Sequence, residues 1–211
     1  MPLTVWDARA DIRNLFITPE IRSRIMRFDA GQVSAGHTHD LGHEMFVVLD
    51  GRAEFTIAGQ SAVLGPGQAC VARAGEWHEI RALDDAPMTL YLSVTPHIEP
   101  THTQWDREGG GRLPYHYGAA TRVDRAEPTD PPDELVERHL AASQALSAAA
   151  ADNAAAQLAA AIDLRAALKS ADFARAHGAL DEMWNAYRAL HDALRSSQLA
   201  WNELAAAAGR E

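Results

Sequence analysis

Chemistry concentrates in one stretch of the chain, GQVSAGHTHDLGHEMFVVLDG at residues 31–51. His37 and His39 are two apart, so an extended strand carries both imidazoles on one face. Gly36 before them and Gly42 after them permit a local bend, and Glu44 can then return to that face. Two neutral imidazoles and a carboxylate converging in one interior suit a divalent transition metal. A second stretch, GQACVARAGEWHEIRA at residues 67–82, adds His78 at the start of a β-run that follows the turn at Gly75. Three imidazoles and one carboxylate leave one or two positions of an octahedral ion open, as a catalytic site does. Without an ion, four such groups lining a barrel would be left unsatisfied.

The neighbours of this quartet read differently. His43 sits next to Glu44, so on a strand it faces the other way, toward the surface or an interface. Cys70 has no basic partner and reads as a small buried hydrophobe rather than a nucleophile. Arg73 reads as a solvated loop arginine, with an anion-anchoring role at the mouth as the alternative. If Glu44 points inward, so do Phe46 and Val48; if His78 does, Ile80 and Ala82 follow it. Met26, Phe28, Phe55, Ile57, Trp77 and Tyr91 are further interior candidates, with core packing as the leading role. Such an interior suits a small, partly apolar organic molecule, an aromatic or a keto acid. A polyanionic sugar nucleotide fits it less well, because few arginines fall at the inward positions so identified.

The elements that must position these residues are short. Predicted β-runs cover Ile21–Phe28, Glu44–Leu49, Ala53–Ile57, Ala62–Leu64, Ala69–Ala72, His78–Leu83 and Met88–Val94, with hairpin signals at Asp50-Gly51 and Gly59-Gln60. Closely spaced short strands predict an antiparallel sandwich or barrel over residues 1–96. Residues 97–131 form a connector rich in glycine and proline, with Gly109-Gly110-Gly111, Pro100, Pro114 and Pro128. It carries His102, Trp105, Tyr115, His116 and Tyr117, and a connector this long is either disordered or a lid over a site.

From residue 132 the grammar is helical. Pro131-Pro132 followed by Asp133 and Glu134 marks a helix start, and alanine dominates 141–161. Leu180, Tyr187, Leu194 and Trp201 recur every seventh residue, with Met183, Leu190 and Leu204 three positions on and Ser197 breaking that second series. This predicts an amphipathic helix of about 30 residues, about 45 Å long. A looser stripe of Leu146, Leu158, Ile162, Leu164 and Leu168 marks the helix before it. A break near Ser170-Ala171-Asp172, with Gly178 as a second candidate, would fold the two into an antiparallel hairpin. His139, His177 and His191 lack ligand spacing and are expected to face solvent. The heptads predict a homodimer or higher homo-oligomer through this region.

Composition bounds the rest. The 211 residues are 47% apolar and 23% charged, as in a globular protein. Twenty-nine acidic residues against nineteen basic ones give a formal net charge of −10, and Lys169 is the only lysine, which argues against nucleic-acid or membrane-surface binding. A single cysteine excludes an intramolecular disulfide and a cysteine-based zinc cluster. Met1–Asp11 has no signal-peptide pattern and no stretch is apolar enough to span a bilayer, so a cytoplasmic location is expected.

The two histidine-bearing stretches together resemble the cupin superfamily, in particular a small single-barrel cupin of the cupin-2 type with an appended helical region. The family's first motif, G-x5-H-x-H-x4-E-x6-G, is met by Gly31, His37, His39, Glu44 and Gly51. Its second, G-x5-P-x-G-x2-H-x3-N, is met by Gly67, Gly75 and His78, with Arg73 in place of the proline and Ala82 in place of the asparagine. The resemblance spans about residues 15–96. It implies a double-stranded β-helix (jelly-roll) barrel that binds one divalent transition-metal ion per chain through His37, His39, Glu44 and His78. It leaves open iron, manganese, nickel, zinc or copper, and a range of reactions that includes dioxygenases, isomerases, lyases and decarboxylases beside non-catalytic binding and storage proteins.

Two functions follow from different classes. One is a metal-dependent enzyme acting on a small organic molecule, with dioxygenase-type chemistry leading and His102, Tyr115 or Glu44 as proton-transfer candidates among which the sequence does not choose. The other is a non-catalytic binding or sensing module whose helical tail mediates oligomerisation or partner binding. A structural protein that has kept a metal is a third.

Overall fold

A computed structural model of the chain describes residues 3–83, 85–106, 110–118 and 130–209. Gly109 and Pro128 of the connector lie outside these residues. The chain divides into two compact units, Met1–Thr129 with Ala205–Glu211 and Asp130–Leu204.

In the first unit ten strands form two antiparallel five-stranded sheets. They are β1 (Asn14–Ile17), β2 (Arg22–Phe28), β3 (His37–Thr38), β4 (His43–Asp50), β5 (Ala53–Ile57), β6 (Gln60–Leu64), β7 (Ala69–Ala72), β8 (His78–Ala82), β9 (Met88–Thr95) and β10 (Thr103–Gln104). One sheet runs β1-β2-β9-β4-β7 and the other β10-β3-β8-β5-β6. Alternation drives the packing: β4 turns Glu44, Phe46 and Val48 inward, and β8 turns His78, Ile80 and Ala82 inward. Of these, Phe46, Val48, Ile80 and Ala82 meet Phe28, Phe55, Met88, Leu90, Leu92 and Val94 in a single apolar core. The register is fixed accordingly, with Glu44 opposite Val94 and Phe46 opposite Leu92 across β4 and β9.

The predicted strands are present with nearly the predicted bounds, and β1, β3 and β10 join them. β10 lies beyond residue 96, inside the segment read from sequence as connector, and pairs with β3 through Thr103–Thr38 and Gln104–His37. The second sheet therefore takes its edge strand from that segment.

The second unit is a helical hairpin. Helix α1 spans Pro132–Lys169, with Pro132 in its first turn, Asp133 and Glu134 beside it and Lys169 in its last turn. Ser170 Oγ donates to the carbonyls of Ala166 and Ala167, and Ala171 takes a positive φ of 54°, so the chain turns at the predicted break. Asp172 Oδ1 accepts from Arg175 N and caps α2, Phe173–Ala208. Gln157 Nε2 donates to the Met183 carbonyl and Arg175 pairs with Asp163, which sets the antiparallel register. Gly178 is no break, because α2 runs through it without interruption. His139 is also not solvent-facing: its ring packs 5.6 Å from that of Trp201. No helix among the described residues is long and apolar enough to cross a membrane.

The turn between β4 and β5 needs its glycine twice over. Gly51 has a φ of +71°, and a Cβ there would come within 2.3 Å of the Pro87 carbonyl oxygen. Gly59, in the next hairpin, has a φ of +78° but nothing within 4 Å. Gly59→Ala should cost about 1 kcal/mol of backbone strain, and Gly51→Ala distinctly more because a rigid backbone must also move. Urea unfolding of the two variants measures the difference, and equal losses would contradict it.

Candidate metal centre

Each predicted ligand arrives by a different route. His37 lies on β3, His39 follows that strand, His78 opens β8 of the same sheet, and Glu44 comes from β4 of the facing sheet. β3 approaches closely because Gly36 has no side chain: a Cβ there would lie 2.2 Å from the Trp77 ring. The structure brings all four together. One ligand atom from each residue lies within 4.8 Å of every other, and Glu44, His39 and His78 are buried.

Glu44 Oε2 is the hub. It is 2.9 Å from His39 Nε2, 2.9 Å from His78 Nε2 and 3.9 Å from His37 Nε2. The other ring nitrogens face backbone carbonyls: His37 Nδ1 is 2.8 Å from Ala35 O, His78 Nδ1 is 3.0 Å from Glu76 O, and His39 Nδ1 meets Thr101 O. A carbonyl only accepts, so this network assigns the hydrogen of each ring to Nδ1 and turns each Nε2 toward the centre. That is the orientation metal-ligating histidines take, with the outer nitrogen held by a second group. With each ring hydrogen on Nδ1, the Nε2 lone pairs of His39 and His78 and the Glu44 carboxylate oxygen all converge on one point. Positive charge is thus what the centre requires, and His37 Nε2 is buried with no hydrogen-bond partner among the described residues. A divalent cation satisfies all four donor atoms at once, so the residues fit such an ion.

The electrostatics are those of a desolvated cluster. Burial would raise the Glu44 carboxyl, but the hydrogen bonds and charges of His39 and His78 outweigh it and hold it well below the usual carboxylate range. Burial, aided by His78, pushes His37 down to about 4.

The cluster opens into a cavity of about 180 Å³ lined by the apolar Phe46, Ile80, Met26, Phe28 and Leu92 and by the polar Asn14, Arg22, Arg24 and His102. Val48 and Ala82 lie in the core and do not line it. Two lining features escape the sequence reading. His102 comes from the connector, with its ring 4.6 Å from that of His37 and 4.9 Å from that of His39. Nothing local marks it above the other connector aromatics, although it is one of three proton-transfer candidates. Arg22 and Arg24 share the inward parity of Met26 and Phe28 on β2, and extending that alternation by two residues would have found them. Their presence corrects the expectation of few inward arginines.

The decoys stay outside. His43 is exposed, with its Nδ1 accepting from Ala74 N at 3.0 Å. Cys70 packs against the core, and burial pushes its thiol up to about 11, which suits a hydrophobe. Arg73 is an exposed loop residue. Tyr115 does not line the cavity. Its hydroxyl donates to Asp40 Oδ2 at 2.6 Å and accepts from Arg112.

A jelly-roll barrel with a His/Glu cluster between its sheets defines the class of protein. Residues 24–95 match the profile of the cupin domain, so the barrel is a cupin domain and a helical region follows it. No curated protein sequence matches the chain. Among solved structures, the chain is similar to the TT1209 protein of Thermus thermophilus, at 24% identity over 40% of this chain and 80% of that one, with a TM-score of 0.39. It is similar to a double-stranded β-helix protein of Klebsiella pneumoniae subsp. pneumoniae, at 18% identity over 53% and 96% of the two chains, with a TM-score of 0.43. A more distant likeness is to a variant of salicylate 1,2-dioxygenase from Pseudoaminobacter salicylatoxidans, at 21% identity over 36% of this chain and 20% of that one, with a TM-score of 0.34.

Elemental analysis tests the centre directly. The wild-type chain and His43→Ala should each carry one transition-metal ion per chain after reconstitution, while the double variant His37→Ala/His39→Ala should carry none. Equal metal content in all three would place the ion elsewhere.

Proposed function

We propose that the barrel is a metal-dependent enzyme acting on a small organic molecule, with dioxygenase-type chemistry as the leading reaction. One observation carries this reading: three Nε2 atoms and one carboxylate oxygen converge at the wall of a cavity that is part polar and part apolar. Four protein donors leave room in an octahedral shell for substrate or dioxygen. A metal held by His37, His39, Glu44 and His78 supplies Lewis-acid polarisation of a substrate oxygen and, where redox-active, electrons for dioxygen.

The chain's own residues do the rest. Phe46, Ile80 and Leu92 shield the reacting end from water. His102 is placed to hold or move a proton: Thr101 Oγ1 engages its Nδ1 at 2.8 Å, which leaves Nε2 for exchange with a ligand.

The test is oxygen uptake by the iron(II)-reconstituted chain across a panel of aromatic and keto acids. Uptake that depends on one class of substrate and is absent from His37→Ala/His39→Ala is the expected result. Uptake no higher than the metal-free chain with every member would remove the dioxygenase reading and favour the sensing module.

The helical tail supports a second element of the proposal, association with another copy of the chain. Leu158 and Ile162 on α1 are 74% and 72% exposed, and Phe173 and Trp184 on α2 are 66% and 61% exposed. Phe173, Leu180, Trp184 and Tyr187 fall on one stripe of α2, and an apolar stripe of this kind marks an interaction surface. A two-fold pairing matches that stripe to itself without requiring any other chain. Light scattering on the full chain should therefore give a dimer or larger, and Ile162→Glu with Trp184→Glu should give a helical monomer. A monomeric wild type would end this idea.

A further inference from the structure

We infer that Arg22 and Arg24 form an anion-reading end of the barrel cavity, and that its ligand is a small organic carboxylate with an apolar body. The inference deepens the reading of this cavity as a small-molecule site and names the class of molecule it takes.

Strand β2 carries the argument. Its alternate residues Arg22, Arg24, Met26 and Phe28 all line the cavity, so one strand grades the wall from charged to apolar over four positions. Asn14 stands opposite Arg24 in the β1–β2 register and lines the same end. A ligand matched to this wall is amphipathic: negative at one end, hydrocarbon at the other, and small.

Charge points the same way. Arg22 is only 4% exposed, yet a guanidinium keeps its proton when buried and must find counter-charge. Its NH2 group lies 3.8 Å from Glu44 Oε1, too long for a hydrogen bond, and its Nε has no hydrogen-bond partner among the described residues. Glu44 is the only carboxylate among the described residues lining the cavity, and it is already committed to the histidine cluster. Glu99 also acts on Arg22 electrostatically, but its Oε2 accepts from Gly118 N. Arg22 Nε is thus a donor of a cavity-lining residue without an acceptor among the described residues, and a ligand carboxylate supplies one. Arginine's planar fork matches a carboxylate in two parallel hydrogen bonds, which makes the recognition geometric as well as electrostatic.

Benzoate and its neutral isostere benzamide are the probes, titrated by NMR into the full chain with and without bound zinc. Benzoate should bind about tenfold more tightly than benzamide, the ratio expected for one charge-assisted hydrogen-bonded contact. Arg24→Gln should bring that ratio below about threefold, and Arg27→Gln, on the exposed face of the same strand, should leave it unchanged. Arg24 serves as the test position because Arg22 neighbours Glu44, and a circular dichroism spectrum like that of wild type establishes that each variant is folded. Equal binding of the two probes, binding of neither, or a preference that survives Arg24→Gln overturns the inference. Failure of the metal reading is separately visible: a chain that binds no zinc yet still prefers benzoate through Arg24 keeps the carboxylate site and loses the metal centre.

Discussion

The structure of the barrel turns on the burial of one carboxylate. Glu44 is 3% exposed between two sheets, and a charge taken that far from water is tolerated only when it is paired and hydrogen-bonded. Its histidine partners come from the opposite sheet, so the two sheets are joined by polar contacts at the same place where their apolar faces meet. His39 and His78 hold Oε2, and Arg22 stands beside Oε1. Removing any one of them leaves the remainder of a buried charged cluster uncompensated. A site of this construction is stabilising only when complete, and that is the property expected of a centre built around a cation.

Three backbone carbonyls convert this cluster from a group of ionisable side chains into an oriented set of ligands. Ala35, Glu76 and Thr101 each take one Nδ1 hydrogen, and in doing so they fix both tautomer and ring direction. Thr101 belongs to the segment after the core strands. The same residue uses its hydroxyl to orient His102, while Thr103 Oγ1 donates to Asp40 and Trp105 Nε1 donates to Thr38. Residues 101–105 therefore hold one ligand and position a further histidine, and they brace the short strand that carries His37. A stretch that looks like linker by composition is part of the folded barrel, and it went unread because its contacts are made through backbone groups and short polar side chains that carry no periodic signal.

This distinction explains what was legible in the sequence. The long strands showed themselves because one face is buried: in β4 the alternation of Glu44, Phe46 and Val48 with exposed neighbours is the pattern that a half-buried strand must have. The four clustered residues were legible because they sit within two short stretches with glycines at the turns, so their convergence depends little on distant parts of the chain. β3 and β10, at two residues each, are too short for any periodicity and exist through tertiary pairing, β3 with both β8 and β10. The cavity wall was half legible. Phe46 and Ile80 follow from the ligands by parity, whereas His102 arrives by a tertiary contact that no local rule could supply.

The helical hairpin shows the limit of periodicity in another way. The seven-residue repeat of Leu180 and Tyr187 marks a stripe of large side chains, but it does not make them the contact between the two helices. They are instead 48% and 47% exposed, while Ala160, Ala167, Ala176 and Ala179 are buried. Alanine lets two helix backbones come close and costs no side-chain entropy on burial, so an alanine-rich α1 lies against the small-residue side of α2. Period alone identifies a stripe without saying which partner it meets, and here residue size decides the matter. The small stripe closes the hairpin, and Leu180, Trp184 and Tyr187 are left on its outer surface.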